Sequence, residues 1–322
     1  MAIAEAELRP STVLPTALAV AAGAGVALQS YINGRLGREL GSGEIAAAVN
    51  NTIGLLALIA LVTVTRALPR ARRAVRAGAE VKWWYLVGGL GGALLVSCAA
   101  IAAPKIGVAL LIVAIVCGQT AGSLLADSAG LSPAGRAGAT RLRIAGVVLA
   151  IAAVAISAFG ARAHLDLALL AFAVIAGVGV ALQQAANGQL ARATGEPLVA
   201  GMINFIVGLT ALLILAWIVT GFHTAHGWNA PPLEWIGGFI GATIATGSAI
   251  LVSRLGVLGL TIAITAGQVA GALVIDLVAP VQGEGVTVET VVGVVLAFVA
   301  VALTARDRRR TRVSSVWPRP SL

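Results

Sequence analysis

Long apolar stretches separated by short polar or basic ones make up almost the whole chain. The apolar positions run on without the period of two that marks a barrel strand, so they predict helices that cross a bilayer. Ten such spans are predicted, near residues 13–33, 44–66, 83–103, 106–126, 143–160, 167–190, 197–220, 234–253, 256–278 and 288–305. A helix satisfies every backbone amide within itself, which is the requirement where there is no water to do so. The expected fold class is therefore all-α integral membrane.

The polar positions inside the spans repeat. GAGVALQSYING at 23–34 returns as GVGVALQQAANG at 177–188, an offset of 154 that also relates Asn50 to Asn204 and Gly54 to Gly208. Further on the offset becomes 149. It pairs Gly88, Gly89 and Gly92 with Gly237, Gly238 and Gly241, and CGQTAGSLLAD ending at Asp127 with AGQVAGALVID ending at Asp276. At 147, GVVLA recurs from 146–150 to 293–297. The chain reads as two fused five-helix units, residues 1–160 and 161–305, followed by a basic tail over 306–322. An odd number of spans per unit starts the second on the opposite side from the first, so ten transmembrane helices form two inverted five-helix repeats. Inverted repeats place a binding site at their interface.

Composition sharpens this. Hydrophobic residues make up 59% and charged residues 11% of the 322, against roughly 25% charged in a soluble domain. The net charge of +9 does not indicate nucleic acid, because the basic residues lie between spans. With the N-terminus inside, 18 Lys and Arg fall on inner segments and 4 on outer ones, which predicts both termini in the cytoplasm. The first span reads as a retained anchor, since MAIAEAELRP lacks a basic leader region. Cys98 and Cys117 lie within apolar segments and read as small packing residues, with no disulfide expected. His223 and His226 lack a neighbouring carboxylate or thiol that would complete a metal site. No cofactor is expected.

Candidate chemistry lies in amides at membrane depth, where polar groups are costly. Gln119 and Gln268 are repeat-equivalent, fall near the middle of their spans, and sit between glycines in small-xxx-small spacing. Gln29 and Asn33 share a helix face at i and i+4, and Gln183 and Asn187 repeat the pair. Asn50 and Asn204 are a third equivalent pair. Amides both donate and accept without charge, which suits a small polar or zwitterionic solute. The competing reading is helix-to-helix hydrogen bonding. If spans four and nine pack antiparallel, Lys105 would meet Asp276 at the outer side and Asp127 would meet Arg254 at the inner side, as two gates. There is no phosphate-binding loop, nucleophile elbow or H-E-x-x-H, so no enzyme is expected.

ALQSYINGRLGRELGSGEIAAAVNNTIG at 27–54, its copy at 181–208, and the two Gly-Gln-x-x-Gly runs resemble the YdcZ-type branch of the drug/metabolite transporter superfamily. The resemblance covers both halves. It implies ten helices in two inverted halves, a bacterial inner-membrane location and transport of small molecules. The expected function is a secondary transporter, an exporter of a small polar metabolite or drug. The expected partners are that solute and the lipid bilayer, with the chain a monomer or homodimer. The rival is a membrane scaffold or accessory subunit whose amides only hold helices together.

Overall fold

The structure is a computed structural model. It describes residues 13–131, 135, 136, 138–160, 166–223, 228–279 and 287–313; the side chains at 157–160, 246, 249, 250, 252–262, 301 and 304–313 lie outside that description. Residues 1–12 ahead of the first span, His226 and the end of the basic tail also lie outside it.

The described residues form helices and no strand. In order they are α1 (Val13–Leu40), α2 (Gly43–Val64), α3 (Ala67–Arg76), α4 (Trp83–Leu86), α5 (Gly89–Ile106), α6 (Val108–Ser128), α7 (Arg141–Gly160), α8 (Leu167–Thr194), α9 (Pro197–Thr220), α10 (Gly237–Val278) and α11 (Val288–Val313). A single 3-10 turn, Pro232–Ile236, precedes α10. Among the described residues six segments are long and apolar enough to cross a membrane: α1, α2, Trp83–Ile106, α6, α8 and α9. Ala263–Val278 and Val288–Ala300 are shorter apolar stretches.

Three departures from the expected spans have physical causes. First, α1 and α8 run on past 33 and 190 to Leu40 and Thr194, because nothing breaks the helix before Gly41 and Gly195. That extension carries Arg35 and Arg38 on a helix. Second, the basic stretch after α2 folds into α3. Ala67 and Ala71 of ALPRARRAVR are buried while its arginines point away, the pattern of a helix lying along an interface. Third, spans expected at 234–253 and 256–278 form one helical stretch, α10. Its two ends nevertheless lie together. Gly237 packs on Asn33 of α1, and Asp276 packs on Gly107, close to where Gly34 of α1 meets Pro104 of α5. A straight helix of 42 residues would be about 63 Å long, so the chain turns back on itself between Ile244 and Ile264. In the first half the corresponding reversal is open to view: Gly107, at φ 78°, separates α5 from α6. That left-handed conformation favours glycine.

Helix α6 is the centre of the bundle. Every residue from Val108 to Gly118 is buried, with no polar face, as expected for a helix surrounded on all sides. It touches α1, α5, α7, α8, α10 and α11. By contrast, α9 exposes Leu213, Ile214, Trp217 and Ile218, an apolar outer surface suited to lipid. The closing helices of the halves, α7 and α11, pack on each other. Ala150 and Ala153 share a buried cluster with their counterparts Ala297 and Ala300.

Candidate functional site

Glycines dictate how the halves meet, and the same contacts occur twice. A Cβ on Gly23 would strike the carbonyl of Ile264 and approach the amide of Gln268; one on Gly177 would do the same to Ile115 and Gln119. Gly267 faces Val20, and Gly118 faces Val174. Gly238 lies against the Asn50 backbone, and Gly89 against that of Asn204. Gly241 faces Gln29, and Gly92 faces Gln183. Each pair joins a residue of one half to a residue of the other, and each is the repeat image of its neighbour. Small residues allow this close approach where lipid supplies no hydrophobic drive for helix association.

The predicted amides therefore gather at two places. At the end of α5 marked by Gly107, Asn33 Oδ1 accepts from Asn50 Nδ2 at 2.6 Å, and Asn50 Oδ1 accepts from the Gly238 amide at 3.0 Å. Gln29 lies one turn away against Gly241. At the other end of α5, Asn187 lies against Gly88, Gln183 against Gly92, and Asn204 against Gly89. Here the bonds of the first cluster are not made: Asn187 Oδ1, Asn204 Oδ1 and Gln183 Oε1 are buried without a partner. Asn204 as a residue is 7% exposed.

Gln268 is 3% exposed and Gln119 is half-buried. Both lie where α10 and α6 cross α1 and α8 at the glycine contacts, and among the described residues neither side chain forms a hydrogen bond.

Of the two expected gate pairs, Lys105–Asp276 is not formed as an ion pair among the described residues. Asp276 does lie beside the start of α6, so the antiparallel approach holds at that end. Its carboxylate, however, accepts from the amides of Val108 at 3.0 Å and Ala109 at 2.7 Å. Those amides have no intrahelical partner at a helix start, and the positive end of α6 attracts a carboxylate more effectively than a mobile lysine. Lys105 is exposed and makes no ion pair among the described residues. Asp127 pairs with Arg143 at 2.6 Å, from the helix that follows its own. The Arg254 side chain lies outside the described residues.

Two ion pairs that join the halves are absent from the sequence reading. Arg35 Nε donates to Glu234 Oε1 at 2.6 Å and its Nη1 reaches the Tyr31 hydroxyl at 3.4 Å, at the Gly107 end. Glu234 is 3% exposed. Arg70 of α3 donates to both carboxylate oxygens of Glu196 at the opposite end. The spacing of Tyr31 and Arg35 was available as a signal; Glu234, in the 3-10 turn before α10, was not.

The comparisons with known proteins show the family. Residues 14–156 and 168–303 each match the model of the family described as "Putative inner membrane exporter, YdcZ". The chain belongs to this family. The two matched segments correspond to the two repeats, so it is a two-repeat form of a multi-pass inner-membrane transporter family, and the family is not one of enzymes. Among curated proteins none matches. A solved structure titled "Crystal structure of protein" is similar in fold, with a TM-score of 0.54 at 20% identity, covering 94% of this chain and 99% of its own.

Proposed function

We propose that the chain exports a small polar solute across the inner membrane by alternating access between two inverted halves of five spans each, with both termini cytoplasmic. The observation that carries the reading is the pair of repeat-related amide clusters. Each is built by α1 or α8 of one half against a glycine face of the other half. Gly34 near the end of α1 meets Pro104 near the end of α5, whereas Asn187 near the end of α8 meets Gly88 at the start of α5. The ends of the equivalent helices α1 and α8 thus lie at opposite ends of α5, which supports inversion. The doubling back of α10 supports counting it as two spans, for a total of ten.

The solute path runs between the clusters, past Gln119 and Gln268, with Gln29, Asn33 and Asn50 at one end and Gln183, Asn187 and Asn204 at the other. With no Lys, Arg, Asp or Glu in the middle third of any predicted span, the path selects by hydrogen bonding. Charged contacts act at the ends, Arg35–Glu234 at one and Arg70–Glu196 at the other. The scaffold reading is favoured by the Asn33–Asn50–Gly238 set and by the bond from Asn51 to the Phe205 carbonyl, which are satisfied within the protein, as structural bonds are. The test is an untargeted comparison of metabolites in cells lacking and overproducing the protein, followed by counterflow of the enriched solutes in proteoliposomes. A solute that accumulates on deletion and crosses only protein-containing vesicles supports transport. No change in either assay leaves the scaffold.

A further inference from the structure

Helix α3 has no basic counterpart in the second repeat. It links α2 to Trp83–Ile106, both long and apolar enough to span, so it lies at a membrane surface. The equivalent connection, GFHTAHGWNAP at 221–231, holds no Lys or Arg. Between 66 and 82, by contrast, Arg66, Arg70, Arg72, Arg73, Arg76 and Lys82 accompany a single acid, Glu80. Two sides of α3 are used within the protein. Ala67 and Ala71 are buried with Val62 and Val199, and Arg70 turns to Glu196 of the second half. A third side is not. Arg72 and Arg76, one turn apart, are exposed, and neither side chain makes a hydrogen bond or ion pair among the described residues. Arg72 is also one turn from Leu68 and from Val75, and Val75 is 47% exposed. Basic and apolar groups thus share this outer side. Trp83, 75% exposed, opens the span that follows, an aromatic placed where belts mark the headgroup level.

We propose that Arg72 and Arg76 hold the phosphate of an anionic phospholipid, whose acyl chains cover Val75 and Leu68. A guanidinium matches phosphate oxygens in both charge and geometry, and two on one helix face converge on one head group. A short helix with arginines on its polar side and an apolar flank lies in the plane of the interface, where anionic lipid strengthens its hold. A free phosphate would meet the arginines but leave Val75 in water. A zwitterionic lipid brings its own cation to the phosphate, which repels the arginines. Because α3 also packs on α8 and α9 of the second half, a lipid held here binds an element that touches both halves. The proposal stands whether the chain transports a solute or serves as a scaffold.

The experiment uses the full chain purified in a neutral detergent. Its thermal midpoint is titrated with phosphatidylglycerol, with phosphatidylcholine of the same chains, and with glycerol 3-phosphate, the head group without chains. The expected result is a saturable rise with phosphatidylglycerol, a response roughly tenfold weaker with phosphatidylcholine, and none with glycerol 3-phosphate. Replacing both arginines, Arg72→Gln with Arg76→Gln, should weaken the phosphatidylglycerol response by on the order of tenfold or more. Val75→Ser should weaken it by less. Replacing Arg308, Arg309 and Arg310 of the basic tail by Gln should leave it in place. Should the double variant fail to fold, Arg76→Gln alone is the second arm and should move the titration in the same direction by a smaller factor. Equal responses to the two lipids, a response to glycerol 3-phosphate as strong as to the lipid, no response to any probe, an unchanged response in the arginine variants, or a loss confined to the tail variant overturns the site.

Discussion

Asn51 donates from Nδ2 to the carbonyl of Phe205 at 2.9 Å, and these two residues occupy the same position in the two repeats. A residue bonding to its own counterpart marks the place where α2 and α9 cross on the pseudo-twofold relation between the halves. Gly54 faces the Phe205 ring there, and its counterpart Gly208 faces the Asn51 amide. The relation that is abstract in the sequence becomes a contact at this point, and the two amide clusters lie to either side of it.

At this crossing, packing outweighs hydrogen bonding. Asn51→Leu removes one interhelical bond, worth about 0.6 kcal/mol in membrane proteins. Gly238→Ala instead places a Cβ against the Asn50 carbonyl, a backbone atom unable to rotate aside, and overpacking costs roughly 1–3 kcal/mol. Folded yield and thermal midpoint in detergent should fall much further for Gly238→Ala than for Asn51→Leu, and Gly89→Ala should behave like Gly238→Ala. An alanine at 238 as stable as wild type would refute the tight crossing.

Much of this was legible in advance because a bilayer enforces it. Apolar stretches had to be helices, and the recurring Gln, Asn and Gly positions marked which surfaces meet. The glycines at 88, 89 and 92 and at 237, 238 and 241 were visible as repeats, yet their partners were not, since sequence offset says nothing about which half faces which. The acidic residues show the limit most clearly. Asp276 was expected to seek the nearest opposite charge; the structure gives it the amides at the start of α6, a partner with no side-chain signature. Glu234 was overlooked because a lone acid at the first position of a predicted span carries no repeat and no period. The spans expected at 234–253 and 256–278 form one continuous helical stretch, a departure that the apolar pattern did not signal.

The topology is open to a direct test. The distribution of basic residues, 18 against 4, predicts that both termini are cytoplasmic. A fluorescent protein fused after Leu322 should fluoresce, and alkaline phosphatase fused there should be inactive. Active phosphatase at the C-terminus would reverse the orientation.

The central glutamines separate transport from adhesion. Gln119→Leu and Gln268→Leu remove amides that have no protein partner among the described residues, so neither substitution breaks an internal bond. Each should reduce proteoliposome transport by at least tenfold while shifting the thermal midpoint little. Loss of stability in parallel with loss of activity would assign these residues to helix association.

The bonds of Asp276 distinguish a helix cap from a gate. If capping the first amides of α6 is its role, Asp276→Asn keeps an acceptor and should be milder than Asp276→Leu, which forfeits about 0.5–2 kcal/mol. Lys105→Gln should leave stability unchanged. If instead a Lys105–Asp276 ion pair mattered, the asparagine variant would be as damaging as the leucine variant, and Lys105→Gln would match both.

Arg35 and Glu234 join the halves at the Gly107 end, and their unequal burial sets the sign of the expected mutant effects. The Glu234 side chain is 5% exposed, whereas that of Arg35 is 41% exposed. Removing the arginine leaves a carboxylate buried without its cation. Breaking a fully buried pair costs about 3–5 kcal/mol, and solvent reaching Arg35 lowers that figure toward the ~1 kcal/mol of an exposed pair. Removing the carboxylate's charge is cheaper, since arginine can turn to water. Arg35→Ala should therefore destabilise more than Glu234→Gln, and the double variant should recover part of the loss. The same order should appear in function: a cysteine introduced at Gly237 should label fastest with a membrane-impermeant maleimide in the Arg35→Ala background. Additive effects in the double variant, or labelling indifferent to Arg35, would show that this pair neither couples nor closes that end.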